Sequence, residues 1–514
     1  MSKKRIAAID IGSNAPKMMI AEEGPDGRPR IIETLRATLS LGVDTYNNQI
    51  ISESSMSRLC NQLLLFKQKL TEYQVKEYRV VATSAVREAL NRDFVLARIS
   101  QLTGMECEVL SNSEERYFHN LVLSETFSEY REVVKQSAII LDLGAGSIQI
   151  SSYADGRRLM SQNVKLGYLR VSELFSQLQA RSGDFSQVMN EYIGSQLDAL
   201  ELYDSYNNSP PALIAVGNDL GYLRVFAGLL EADDTYLSAT ALEALYERLL
   251  RVTPLDLTLH HGMPADVAEI LLPAAMIIYR FLKQYKVAGL YIPAMQLGQG
   301  LLMDMAKTAF HFRPAHDHDA DLLSSARMMA LRFGGKLTHL EAKERDAAVI
   351  AKALGKKYFL NERFIILLKT AVWLSEIGKF IHTVNYAVYS AEIIQHSEFV
   401  GLSDRETEII SSSIRFLPGN DVPVDPGLNY HSYNHRLTVL QITGILRLVD
   451  ALEIAREAKI KHLKAVLKKR TLTLQIESEA DWTLEGWAVS ERARLMNELF
   501  GLQVRLLVTD SSKE

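Results

Sequence analysis

The sequence predicts an α/β protein of two like lobes facing across a cleft, followed by a helical region and a small α+β end. Three observations carry this. A short motif occurs twice: residues 6–14 read IAAIDIGSN and residues 138–147 read AIILDLGAGS. Each copy is followed by a second apolar run rather than by a helix. After residue 310 the texture changes to long stretches of helical periodicity with few breakers.

In both copies an apolar run ends in an aspartate, one apolar residue and a glycine turn. Such a run reads as a buried strand feeding a loop. Lys17–Glu22 and Ile148–Tyr153 then read as return strands, the second closed by an Ala154-Asp155-Gly156 turn. A dinucleotide or P-loop site would continue into a helix instead. Each copy is therefore a hairpin whose glycine tip offers backbone N–H groups to phosphate oxygens. Asp10 and Asp142, at the strand ends, stand where a carboxylate could bind Mg2+ or orient water. Two copies imply actin-like (ribonuclease H-like) lobes, expected over residues 1–130 and 131–308.

Bulk properties narrow the class. A chain of 514 residues exceeds one hydrophobic core, and 47% hydrophobic with 23% charged residues fits a globular protein rather than a disordered one. The longest apolar stretch, Ile270 to Leu282, is interrupted by Pro273 and Arg280 and falls short of the ~18–20 residues of a membrane span. The opening MSKKRIAAIDIG lacks the apolar core of a secretory signal, so a cytoplasmic protein without a membrane partner is expected. A net charge of −5 argues against nucleic acid and requires that any polyanion be met by local basic patches. The two cysteines, Cys60 and Cys107, have no metal or redox spacing and read as buried reduced thiols.

Between the hairpins, VVATSAVREALN (80–91) reads as a strand, a Thr83-Ser84 cap and a helix carrying Arg87 and Asn91. Helix N-termini attract anions and an Arg one turn in adds a phosphate clamp, although the motif alone would be an ordinary capped helix. ECEVLSNSEERYFH (106–119) reads as a strand to Leu110, a polar turn, and a helix opened by Glu114-Glu115. Those carboxylates complement the helix dipole, or one of them serves as a general base.

This order of motifs resembles the exopolyphosphatase / guanosine pentaphosphate phosphohydrolase (Ppx/GppA) family. Ala82 to Asn91 is similar to the family's ATSAxRxAxN, Ser111 to Glu115 to its SGxEE, and Asp142 to Ser147 to its DxGGGS. LGYLRVSE (166–173), with Gly167 and Arg170, GMPADVAEIL (262–271), LGQGLLMD (297–304), ILRLVDALEIA (445–455) and LTLQIESEADWTLEGWAV (472–489) extend the resemblance over nearly the whole chain.

The resemblance implies Mg2+-assisted water attack that releases terminal phosphate from inorganic polyphosphate or from pppGpp. It makes Glu114 the general base and Asp142 a catalytic, metal-supporting carboxylate, with Gln149 as the second metal position. The phosphate-binding set becomes Asp10, Gly12, Ser13, Asn14, Arg87, Gly144, Ala145, Gly146, Ser147 and Gly217.

The departures cluster at the chemistry. Ala15 and Pro16 replace a serine and a backbone donor, and Ala145 replaces a glycine, which would strain any positive φ. Asn112 stands for a glycine, and Gln149 for a glutamate that would have carried a charge near the metal. Gly217-Asn218-Asp219-Leu220-Gly221 puts an acid into a third glycine-rich loop. A sensor that binds the same anions without cleaving them is the alternative these changes favour; an actin-like small-molecule kinase lacks a recognisable adenosine loop.

HFRPAHDHDAD (311–321) reads as a polar, solvated linker, its histidines more simply explained so than as a metal site. Residues 309–460 resemble an HD-type helical domain whose His-Asp pair is replaced by Ser375-Glu376 and whose upstream His is replaced by Arg345, which makes it structural. In the basic tract 455–470, a helix is expected to present Lys461, Lys464, Lys468, Lys469 and Arg470, as a solvated face or as a track for a polyanionic chain. Residues 461–514 alternate in strand fashion at Leu472–Ile476 and Val504–Val508 around a helix, a small α+β end that offers a surface for a homodimer.

Overall fold

An apolar run that ends in a glycine turn must come back on itself, and both hairpins form. The computed structural model describes residues 4–179, 185–198, 210–217, 220–229, 231, 234–419, 432–457, 459–460, 462–478 and 480–509. The chain divides into two compact units, Met1–His318 and Asp319–Glu514.

The first unit holds two sheets of related design. One contains β1 (Arg5–Ile11), β2 (Pro16–Glu23), β3 (Pro29–Arg36), β4 (Glu77–Ala82) and β5 (Cys107–Val109), in the order β3-β2-β1-β4-β5. The other contains β6 (Ser137–Leu143), β7 (Ile148–Ala154), β8 (Arg157–Val164), β9 (Ala212–Val216), β10 (Tyr236–Ser238) and β11 (Gly289–Tyr291), in the order β10-β11-β9-β6-β7-β8. In each, a three-strand antiparallel meander joins a parallel strand on its inner side, β4 against β1 and β9 against β6. The registers match: Asp10 lies opposite Lys17, and Asp142 opposite Gln149. Pro16 opens β2, the strand position where a missing N–H costs least. The turn between β7 and β8 is made by Asp155 and Gly156 with φ of 53° and 72°.

The glycines of LGQGLLMD serve packing. The helix Leu297–Ala309 returns onto the first sheet, sharing a core with Ile6, Ala8 and Met19. A Cβ on Gly300 would sit 2.4 Å from the Phe118 carbonyl oxygen, so only glycine permits this approach. The histidines of 311–321 are not a solvated linker throughout: His316 and His318 pack edge-on against Tyr130 and Tyr117.

In the second unit the helices Leu337–Tyr358, Glu362–Leu374, Tyr386–Gln395, Asp404–Arg415 and Tyr433–Leu452 surround an apolar core. The strands β12 (Leu463–Lys468), β13 (Thr471–Glu477) and β14 (Gln503–Thr509), with helices Thr483–Arg492 and Arg494–Phe500, add Leu472, Leu474 and Met496 to that same core. The basic tract departs from the helix expected of it. Leu463, Ala465 and Leu467 alternate toward the core, which is strand periodicity, and Lys464 and Lys468 point outward on an edge strand. Lysines there blunt edge-to-edge pairing. Lys469 and Arg470 form the following turn, and Lys461 lies outside the described residues.

Cys60 and Cys107 are both free; Cys60 is buried and Cys107 half-buried, where burial pushes its thiol up to about 12. Among the described residues no helix is long and apolar enough to cross a membrane.

Candidate active site

The two glycine turns of the first unit meet. Gly12, Ser13, Asn14 and Ala15 of one and Leu143, Gly144 and Ala145 of the other line a single cleft, with Lys17, Thr83, Ser84, Glu115, His119 and Tyr168 completing its wall. The space inside is about 30 Å³, room for a water or two.

The turns are held by ties that sequence spacing does not reveal. Ser13 Oγ contacts Ser84 Oγ at 2.7 Å and accepts from the Ala85 N–H at 3.0 Å. Tyr46 OH donates to Ser13 Oγ at 3.0 Å and lies so close to the second turn that a Cβ on Gly146 would sit 2.5 Å from it. Arg170 Nε donates to the Gly146 carbonyl at 2.9 Å, and its NH2 pairs with Glu88 across the cleft. Gly167 approaches the Ala145 carbonyl too closely for a side chain, and Gly217 does the same to Leu143. Ala145 does not take a positive φ, so the strain expected there does not arise. Asn218 and Asp219 lie outside the described residues.

Other expected residues take different roles. The helix after Thr83 is only Ser84–Glu88, without a side-chain cap bond from Thr83. Arg87 NH1 donates to the Leu110 carbonyl at 2.6 Å and to Glu115 Oε2 at 3.2 Å. Asn91 bonds the backbone of Ile51 from both ends of its amide, which makes it a clamp on a loop.

Glu114 differs most from its expected role. Its Oε2 accepts from Ser111 N at 3.0 Å and Ser111 Oγ at 2.9 Å, while Ser111 Oγ receives the Glu114 N–H: a capping box on the helix Asn112–Thr126. The carboxylate on the cleft wall is that of Glu115.

The same helix brings two side chains that motif reading missed. Arg116 and His119, one turn apart on one face, are 2% and 4% exposed. Arg116 Nε donates to Gln149 Oε1 at 2.7 Å, and its NH1 reaches Ser161 Oγ. His119 Nδ1 pairs with Asp142. Burial alone would push the His119 pKa down, but Asp142, with Glu115 and Asp10 nearby, raises it overall and favours the charged ring. Its Nε2 is buried without a hydrogen-bond partner among the described residues.

These contacts bear on the divalent metal that the resemblance implies. Mg2+ requires hard oxygen donors in near-octahedral array and keeps several waters. Here Asp142 faces an imidazole and the neutral Gln149 oxygen faces a guanidinium. Asp142, Asp10 of the other hairpin and Glu115 on the cleft wall are the hard-oxygen donors that would hold such an ion.

In the second unit, Arg345 bonds Asp346 at 2.9 Å and the Ile460 carbonyl at 2.8 Å, and does not reach Glu376. Glu376 meets Lys343 Nζ at 3.4 Å and His339 Nε2 at 3.3 Å, and Lys343 also pairs with Asp450 at 2.5 Å. His431 lies outside the described residues.

Two facing glycine hairpins with carboxylates at the strand ends define a two-lobed, actin-like architecture. Its solved relatives include an exopolyphosphatase from Cytophaga hutchinsonii, with TM-score 0.52 and 21% identity over 60% of this chain and 99% of that one. The Ppx/GppA phosphatase family model matches residues 19–309, and the model of that family's domain III matches 325–498. The chain belongs to the Ppx/GppA phosphatase family. It is 23% identical over 307 residues to exopolyphosphatase 1 of Mycobacterium tuberculosis, covering 58% of this chain and 87% of that protein. It is 20% identical over 416 residues to the guanosine-5'-triphosphate,3'-diphosphate pyrophosphatase of Photobacterium profundum, covering 80% of this chain and 79% of that protein.

Proposed function

We propose that the first unit is a phosphoanhydride hydrolase that releases terminal phosphate from inorganic polyphosphate or guanosine pentaphosphate. The observation that carries this reading is the position of Glu115: a carboxylate on the wall between two phosphate-cradling turns, oriented by Arg87. A water between Glu115 and the terminal phosphorus loses its proton to the carboxylate as the new O–P bond forms and the bridging P–O bond breaks. The shortened chain leaves as an anion. Lys17 and the turn N–H groups meet the developing charge, so catalysis rests on positioning and electrostatics.

Phosphate release from long-chain polyphosphate, pppGpp and ATP, run in parallel, tests this. Glu115→Gln is expected to abolish release and leave binding. Glu114→Gln, whose amide oxygen still accepts from Ser111, is expected to keep release with little change in stability. The reverse pattern would return the base to Glu114. The Arg116–Gln149 contact favours a second reading, a sensor that binds the same anions without cleaving them. Binding without release from any substrate would establish it.

A further inference from the structure

We propose that Tyr46 is a positioning residue for phosphate, its hydroxyl setting the direction of a proton chain through Ser13 and Ser84 so that the Ser84 O–H donates to a phosphate oxygen in the cleft. The inference rests on the phosphoanhydride reading above and names what aligns one donor of that site.

Tyr46 stands on the helix Leu41–Asn48, outside both glycine turns. Its hydroxyl, Ser13 Oγ and Ser84 Oγ form a triangle: Tyr46 lies 3.0 Å from each serine, and the serines lie 2.7 Å apart. A hydroxyl has two acceptor lone pairs and one proton. At Ser13 both lone pairs are taken, by the Tyr46 O–H and by the Ala85 N–H at 3.0 Å. The Ser13 proton therefore goes to Ser84 Oγ. Ser84 holds the last proton of the chain, and within the triangle only the Tyr46 oxygen is left to accept it. Ser13 and Ser84 line the cleft, whereas Tyr46 does not. An anionic phosphate oxygen is a stronger acceptor than a neutral phenol, so it takes the Ser84 proton on entering. Without the phenol, Ser13 regains a lone pair and the chain reverses, with Ser84 donating to Ser13 and turned from the cleft. The direction matters because Asp10, Asp142 and Glu115 all lie within electrostatic reach of His119 on the cleft wall. A phosphate there meets carboxylates as well as Lys17, and each neutral donor held in place offsets part of their repulsion. The tyrosine ring is itself fixed. The Arg170 guanidinium lies 4.8 Å from its centroid, and a Cβ on Gly42 would sit 2.8 Å from the ring.

A double-mutant cycle tests this, with tripolyphosphate titrated calorimetrically into the full chain at one fixed magnesium concentration. Tyr46→Phe keeps the packed ring and is expected to weaken binding about fivefold to tenfold, with the unfolding transition nearly unchanged. Ser84→Ala is expected to weaken binding about tenfold. Once Ser84 is replaced, adding Tyr46→Phe is expected to cost less than about twofold more, because the phenol acts through that hydroxyl. A merely structural tyrosine would cost the same in both backgrounds, and that result overturns the inference. Unchanged binding by Tyr46→Phe alone also overturns it. Either result leaves the phosphoanhydride reading standing where the wild type binds tripolyphosphate and releases phosphate. Absence of both binding and release in the wild type overturns both.

Discussion

In the first unit a buried histidine keeps one nitrogen open to a cleft, whereas in the second a buried lysine has its donors met from within. Lys343 is 0% exposed and finds Asp450 at 2.5 Å, Glu376 at 3.4 Å and Ser375 Oγ at 3.5 Å. His119 has Asp142 on one side and, among the described residues, no hydrogen-bond partner on the other. A group met on every side ties helices together; one that lines a cleft faces whatever enters it.

The comparison can be broken most directly at Lys343. Lys343→Met removes the one fully buried cation shared by Asp450 and Glu376, leaving them Arg492, Arg456, Lys379 and His339, and is expected to cost about 3 kcal/mol in the unfolding of the full chain. Tripolyphosphate binding should not change, and a variant that unfolds normally but loses binding would show that the second cluster is not merely structural. His119→Gln should show the opposite balance, with a loss of only about 1–2 kcal/mol in stability.

The second unit also carries a signature in pH. Burial alone would raise the Glu376 carboxyl, but Lys343, His339 and Arg456 hold it at about 2, below the ordinary 4.5. A depressed carboxylate stabilises the fold above its unfolded pKa, and that contribution is lost as pH falls from about 4.5 toward 2. Acid denaturation followed by circular dichroism should show this loss, and Glu376→Gln should flatten it.

Much of the fold was legible because the signals were local. The two hairpins follow from apolar runs closed by glycine turns, and the helical texture after residue 310 from periodicity. The basic tract was also legible, since Leu463, Ala465 and Leu467 alternate with strand period beneath the dense charge of their neighbours. The site was harder to read. Ser111 and Glu114 have the spacing of a capping box, which commits Glu114 to its own helix and leaves Glu115 for the cleft. Arg116 and His119 have the spacing of one helix face. What that face meets, Gln149 and Asp142, comes from a strand pair far along the chain, and no local pattern encodes it.

The smallest expected effect is the most discriminating for the cleft. Gln149→Glu restores a carboxylate opposite Asp142 and beside Arg116. The new charge gains a guanidinium partner in place and pays desolvation in a buried position, so stability should change by about 1 kcal/mol or less. Binding responds little, because neither Gln149 nor Arg116 lines the cleft and the new charge is paired. Tripolyphosphate should bind within about threefold of the wild type. A larger loss would show that Arg116 serves the ligand as well as Gln149, and a donor met from within would no longer mark a purely structural cluster.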